Sequence, residues 1–181
     1  MYSSKLLWLK NLKMRVLCQL FSAIFFLFLG THTYGSSLTQ DAKERGINKT
    51  CQNYLNQIES SYELNGLNIT FAYPENPSKL PSLHVSLQKY NNGSSSFSAT
   101  LIPDGDYCYL STIMVTAVNN QSCTEISQIK ASRDENLKIL NYAEGNYIII
   151  TPINNTYQTI LTSSEENACT ITESRMMWPG K

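Results

Sequence analysis

Residues 83–118 read LHVSLQKYNNGSSSFSATLIPDGDYCYLSTIMVTAV, and this stretch decides the fold class. Apolar and polar side chains alternate at its start and again after residue 97, which is the period of a strand with one face on a core. The sequences NNG at 91–93 and PDGD at 103–106 interrupt the alternation with residues that favour tight turns. We therefore expect three successive antiparallel strands, one from residue 83 and the others at 97–102 and 107–118.

More strands of the same kind flank this stretch. We predict them at 67–73, 137–143, 147–153, 157–163 and 168–173, divided by prolines or by short turns rich in Asn, Glu and Gly. Segment 123–131 fits either a strand or a short helix. Together these elements predict an antiparallel meander of about seven or eight strands, either a curled open sheet or a barrel-like one. No internal repeat is visible.

One amphipathic helix precedes the strands. Its apolar residues recur at the 3.6-residue period, at Ile47, Cys51, Tyr54, Leu55, Ile58 and Tyr62. Asn65-Gly66 supplies a C-terminal stop, and the helix could begin as early as Thr39 with Gly46 as an interruption. An apolar helix face and an apolar sheet face must cover each other. The predicted class is α+β, mainly β, with an N-terminal helix packed on the meander.

The first 35 residues have the pattern of a cleaved secretion signal. Four basic residues and no acidic one precede an apolar run at 16–29, which is too short to span a bilayer comfortably. Small residues at Thr33 and Gly35 favour cleavage after Gly35, and Met14 offers a more compact start. The alternative is an uncleaved anchor. We expect residues 36–181 to form a single disulfide-braced domain in the periplasm or extracellular space.

Composition excludes several partners for this domain. Its 146 residues carry 10 basic and 14 acidic side chains, a net charge of −4 with no basic cluster. Nucleic acids and anionic membrane surfaces are therefore not expected partners, because both are bound through clustered Lys and Arg. Five N-x-S/T sequons do not distinguish a bacterial source from a eukaryotic one, because a chain this rich in Asn, Ser and Thr contains several by chance.

Four cysteines remain after signal cleavage, and an even number in an exported chain predicts two disulfides. Of the three possible pairings we favour Cys108–Cys123, which flank one strand and turn. The second pair would be Cys51–Cys169, since the helix should pack against the last strand. No C-x-x-C spacing exists and the domain has one His, so neither a metal nor another cofactor is expected.

Candidate catalytic residues are few, and none predicts an active site. His84 alternates with Leu83 and Val85, which places it on the polar, solvent-facing side of its strand. Asp104 and Asp106 fit a β-turn, as do Glu165 and Glu166 in a later one. No nucleophile motif accompanies these residues.

The C-terminal tail from Arg175 is the best candidate for a partner contact. Met176, Met177 and Trp178 are side chains with large contact area, of types enriched at protein interfaces. The interpretation that we favour for Trp178 is nevertheless a structural one, in which it fills one end of the sheet or covers its edge.

The order of signal, helix, β-meander and two disulfides resembles the lipocalin-like carriers, which implies a barrel around a small apolar ligand. The early Gly-x-Trp of that family and its C-terminal helix are missing here. The pattern is also similar to small periplasmic β-proteins that inhibit cell-wall hydrolases. We expect a non-enzymatic protein-binding domain, most concretely an inhibitor or immunity-type factor. A lipocalin-like ligand carrier is the first alternative, and a hydrolase with an unrecognised site is the second.

Overall fold

The computed structural model describes residues 36–165 and 167–177. The predicted secretion signal and Trp178 lie outside the described residues.

An eight-stranded antiparallel sheet forms the centre of the fold. Its strands are β1 Leu67–Ala72, β2 Ser82–Tyr90, β3 Gly93–Asp104, β4 Tyr107–Asn119, β5 Leu137–Tyr142, β6 Tyr147–Pro152, β7 Gln158–Glu165 and β8 Ala168–Met177. The spatial order is β1-β2-β3-β4-β8-β7-β6-β5, so the sheet is open and ends at β1 and β5. The predicted mainly β, antiparallel class is confirmed. The closed barrel is wrong, and the single meander is in fact two four-stranded meanders joined where β4 pairs with β8.

Among the described residues, three α-helices pack on one face of the sheet, which we call the inner face. They are α1 Leu38–Glu44, α2 Lys49–Ser61 and α3 Cys123–Arg133. The sequence was compatible with one helix that begins at Thr39. The structure has two helices there, because Gly46 has a φ of +73°, which lies outside helical geometry. The ambiguous segment 123–131 is helical, because Ser122 and Glu125 form a capping box that starts α3.

The two meanders repeat one arrangement, although no repeat is visible in the sequence. In each half a helix bearing a cysteine in its first turn precedes four strands, and the second residue of the fourth strand is a cysteine. Ile113 and Ser174, each five residues beyond that strand cysteine, lie directly opposite each other where β4 meets β8. The topology therefore has a pseudo-two-fold relation about this pair.

The predicted number of disulfides is confirmed, and the favoured pairing is wrong. The bonds are Cys51–Cys108 and Cys123–Cys169, each joining a helix to a strand within one half. Cys108 is the second residue of β4 and Cys123 follows the other end of this strand, whose 13 residues extend over about 40 Å. The ends of an extended strand cannot meet, whereas bonded cysteines need Cα atoms within about 7 Å.

Each half has its own hydrophobic core between helix and sheet. The first is built around Leu38, Leu55, Phe97 and Leu101, with Cys51 and Cys108 within it. The second contains Ile126, Ile148, Ile150 and Leu161 beside Cys123 and Cys169. Each disulfide is therefore buried in the core of its own half.

Candidate functional site

Strand β2 has the opposite orientation from the one its alternation predicts. Ser82, His84 and Ser86 face the helices and are buried, while Leu83 and Leu87 lie on the other side and are 39% and 41% exposed. The predicted solvent-facing His84 is wrong. Alternation identifies two faces of a strand, but it does not show which face meets the core.

His84 is fully buried between two hydroxyl groups. The Thr70 Oγ1 atom lies 3.1 Å from its Nδ1 and the Ser82 Oγ atom 2.9 Å from its Nε2, so each ring nitrogen has a partner. Burial lowers the pKa of His84 to about 4, partly opposed by the Asp41 carboxylate. The imidazole is therefore neutral near pH 7. With no solvent-accessible surface, its ring has no access to a substrate in this conformation.

The uncovered face of the sheet, which we call the outer face, is apolar at its β1–β2 end. Three cross-strand pairs lie there side by side, and we name this group the outer patch: Leu67 with Leu87, Ile69 with Val85, and Phe71 with Leu83. Leu67 and Phe71 are 58% and 56% exposed. The side chains of neighbouring strands on one face touch at this spacing, so the six residues form a continuous surface.

Few charges interrupt the outer face. Where its side chains are described, strand alternation places charged residues only at Lys89, Asp104 and Lys138. Lys89 and Asp104 lie at or near the ends of their strands. Ser, Thr and β-branched apolar residues occupy most of the central positions on β3, β4 and β8. The outer patch is therefore bordered by uncharged strands.

The carboxylate candidates do not come together. Asp104 ends β3 and is exposed, as is Asp106 in the turn around Gly105, whose φ is +59°. Glu165 ends β7, and Glu166 lies outside the described residues. In the described part of the chain, no group of three or more His, Cys, Asp or Glu side chains is arranged to hold a metal ion.

The expected C-terminal tail begins later than predicted, because β8 continues through Met177. Met176 lies on the outer face and Met177 on the inner face, and they are 59% and 46% exposed. Both candidate contacts are thus available to a partner, on opposite sides of the sheet. Trp178, the third, is among the residues not described.

A shallow cleft lies beside α2 on the inner face. The Arg175 guanidinium is 4.8 Å from the centre of the Tyr157 ring and 5.9 Å from that of Tyr62. The same guanidinium bonds the Glu173 carboxylate at 2.9 Å, and the Tyr62 hydroxyl donates to that carboxylate at 3.3 Å. Burial raises the pKa of Tyr62. The cleft beside this cluster, also lined by Met177, has a volume of about 160 Å³.

The contacts of this cluster indicate that it stabilises the fold. Arg175 already has a carboxylate and two aromatic rings as partners, which is how a partly buried guanidinium is stabilised without a ligand. Between the two surfaces, the outer patch has the larger set of groups without a protein partner. The outer patch is therefore the candidate functional site.

Sequence reasoning missed the outer patch, although a signal for it existed. Residues 67, 69 and 71 are apolar in β1, and residues 83, 85 and 87 are apolar in β2. The other phase of the same strands contains the polar residues Asn68, Thr70, His84 and Ser86. Two neighbouring strands with this pattern would each have matched an apolar core, so the pattern alone did not indicate exposure.

Comparisons with known proteins add no family. No family model matches the chain, and neither a curated protein nor a solved structure matches it. Among the described residues, no helix is both long enough and apolar enough to cross a membrane. Two disulfides indicate an oxidising environment, as expected for an exported protein.

Proposed function

We propose that this chain is an exported, non-enzymatic protein-binding domain and that its outer patch contacts the partner. The observation that carries the proposal is the patch itself: six apolar side chains on two adjacent strands, uncovered and next to an open edge of the sheet. The largest exposed apolar patch of a typical monomeric protein covers roughly 300–600 Å² and is often functional. The most concrete version is an inhibitor or immunity-type factor of the periplasm or extracellular space.

The scaffold supports this use of the patch. The buried disulfide Cys51–Cys108 braces the first half, and the patch residues project from regular strands rather than from loops. Side chains held on strands lose little conformational freedom when a partner binds. The polar, uncharged strands beyond the patch supply hydroxyl groups for the rim of an interface.

A lipocalin-like carrier has less support. A carrier needs a closed barrel or another enclosed cavity of about 300–1,000 Å³. The sheet is open, and the surface clefts that reach this range, with volumes of about 410, 490 and 580 Å³, are open to solvent rather than enclosed.

The hydrolase alternative has also lost its strongest candidate. A general base must come within hydrogen-bond reach of the substrate, and His84 is enclosed by Thr70 and Ser82.

The test is capture of a protein partner from the native organism by the disulfide-bonded domain starting at Ser36. Leu83→Asp places a carboxylate in the outer patch and should reduce capture at least tenfold. Leu140→Asp is the matched control, since Leu140 is 37% exposed on the outer face of the second half and Leu83 is 39% exposed. Both variants must retain the far-UV circular dichroism spectrum of the parent.

Three results distinguish the surfaces. Loss of a stoichiometric partner with Leu83→Asp and retention with Leu140→Asp supports the outer patch. Loss with Met176→Asp alone would move the contact to the end of β8. Failure of the parent domain to capture any protein, together with a co-purifying small molecule, would favour the carrier.

A further inference from the structure

The two open edges of the sheet differ in one decisive residue. Edge strand β1 reads LNITFA and contains neither a charge nor a proline, while edge strand β5 reads LKILNY. When the two halves are aligned on Cys108 and Cys169, the strand registers place Ile69 of β1 at the position of Lys138 of β5. Ile69 pairs with Val85 of β2, and Lys138 pairs with the equivalent residue of β6, Thr151. A lysine on an edge strand discourages pairing with another chain. Edge β5 has this protection, and β1 lacks it.

One edge of β1 is free to pair with another strand. Among the described residues its ladder partner is β2, and no strand lies along its other edge. The segment before α1 approaches β1 on the inner face, where the Asn68 side-chain amide donates to the Ser36 carbonyl at 3.2 Å. Ile69 on the outer face remains 37% exposed. A strand could therefore be added along this edge without displacing the helices.

We propose that the strand added to this edge is β1 of a second copy of the chain, paired antiparallel about Ile69. This proposal rests on the outer patch as the binding surface. Centring the pair on Ile69 places Leu67 opposite Phe71 of the other copy and brings the two Ile69 side chains together. All three outer cross-strand contacts are then apolar, as they are between β1 and β2.

The chain already contains an antiparallel join of this symmetry. Strands β4 and β8 meet about the Ile113–Ser174 pair, at positions that the pseudo-two-fold relation exchanges. A β1–β1 pair would join two molecules in the way that β4 and β8 join the two halves. A symmetric contact of this kind closes on itself and yields a dimer rather than a fibre.

Dimerisation would also enlarge the candidate functional site. The outer patches of the two copies would adjoin on one face of a continuous sheet and double the apolar area. A partner interface needs about 800 Å² on each side, and roughly a few hundred Å² from one patch falls short of that. The contact itself involves six residues a strand, so we expect a dissociation constant in the micromolar range.

Sedimentation velocity across a concentration series tests the dimer with the domain starting at Ser36. The parent should pass from monomer to dimer as concentration rises. Ile69→Lys should weaken dimerisation at least tenfold, because it places two ammonium groups opposite each other at the symmetry axis. Leu140→Lys is the matched control, with equal exposure on the other edge strand, and should leave dimerisation unchanged.

A charge-swap mixture separates loss of contact from loss of fold. Ile69→Lys and Ile69→Glu should each be monomeric, and an equimolar mixture should form heterodimers that high salt weakens. A parent that stays monomeric at 200 µM overturns the β1–β1 dimer, as does a mixture that stays monomeric. Partner capture by a monomeric parent would then show that the protein-binding function stands without the dimer.

Discussion

The two halves of the molecule have the same topology and solve the problem of core formation differently. The register relates Thr70, Ser82 and His84 of the first half to Ile139, Ile148 and Ile150 of the second. The second half fills these positions with aliphatic side chains. The first half has a hydrogen-bonded polar group there, covered by α1, a helix with no counterpart in the described second half. One scaffold therefore accepts either core at these three positions, where the polar version is stabilised by the hydrogen bonds of His84 with Thr70 and Ser82.

Helix α1 packs over the half that has the buried polar group. Its Leu38 and Ala42 are fully buried and join the first core. The Glu59 carboxylate of α2 accepts bonds from the backbone N–H groups of Leu38 and Thr39 at 2.6 and 3.1 Å, which holds the start of α1 in place. Helix α1 also contacts β1 and β2, the strands that carry Thr70 and His84, and the burial of His84 lowers its pKa.

We expect the largest difference between the halves when one disulfide is removed at a time. Loops of similar length are closed by Cys51–Cys108 and Cys123–Cys169, with separations of 57 and 46 residues. Replacing either pair by Ala should lower the free energy of unfolding by about 2–5 kcal/mol. The second half has the smaller core, so Cys123→Ala/Cys169→Ala should also accelerate amide exchange in β5 and β6 selectively. Equal acceleration in β1 and β2 would contradict independent cores.

The next effect is a pH dependence that only the first half possesses. His84 has a pKa of about 4 in the folded protein against 6.5 for a free imidazole, so the unfolded chain binds the extra proton first. The free energy of unfolding is therefore unaffected by protonation of His84 above pH 6.5. It decreases as the pH falls towards 4, by about 3 kcal/mol in total. Urea unfolding at a series of pH values measures it.

The control for this pH dependence gives the first half an aliphatic core like that of the second half. The triple variant Thr70→Val/Ser82→Ala/His84→Ile removes the titrating group and both of its hydroxyl partners. It should fold and lose the His84 component of the pH dependence. His84→Ile alone should be less stable than the triple variant, because it leaves two buried hydroxyl groups without partners. An unchanged pH profile in the triple variant would assign the effect to other groups.

The smallest expected effect comes from detaching α1. Glu59→Ala removes the acceptor for two backbone N–H groups and should lower the free energy of unfolding by about 1–2 kcal/mol. Amide exchange of residues 38–44 should accelerate, and the NMR-measured pKa of His84 should rise towards 6.5. Glu135→Ala makes the same charge change at an exposed site of the second half and should alter neither. A His84 pKa unaffected by Glu59→Ala would mean that α1 does not shield the imidazole.

Local pattern was sufficient to predict the positions of the strands. All eight lie where alternation and turn residues indicate them, and the largest differences are extensions such as β3, which begins at Gly93 rather than 97. Strand extension depends on having a neighbour to pair with, which local sequence does not specify. The candidate site was less predictable, because it depends on which strand face lies against the helices.

The sequence by itself determined the strand positions and the number of disulfides, because these follow from local periodicity and composition. The tertiary structure alone decided the strand order, the cysteine pairing and the burial of His84. The long strand β4 separates Cys108 from Cys123 and brings β8 into the centre of the sheet. The helices then cover the polar side of β2 and leave Leu83 and Leu87 uncovered. Such outcomes depend on contacts between distant residues, which alternation along one strand does not encode.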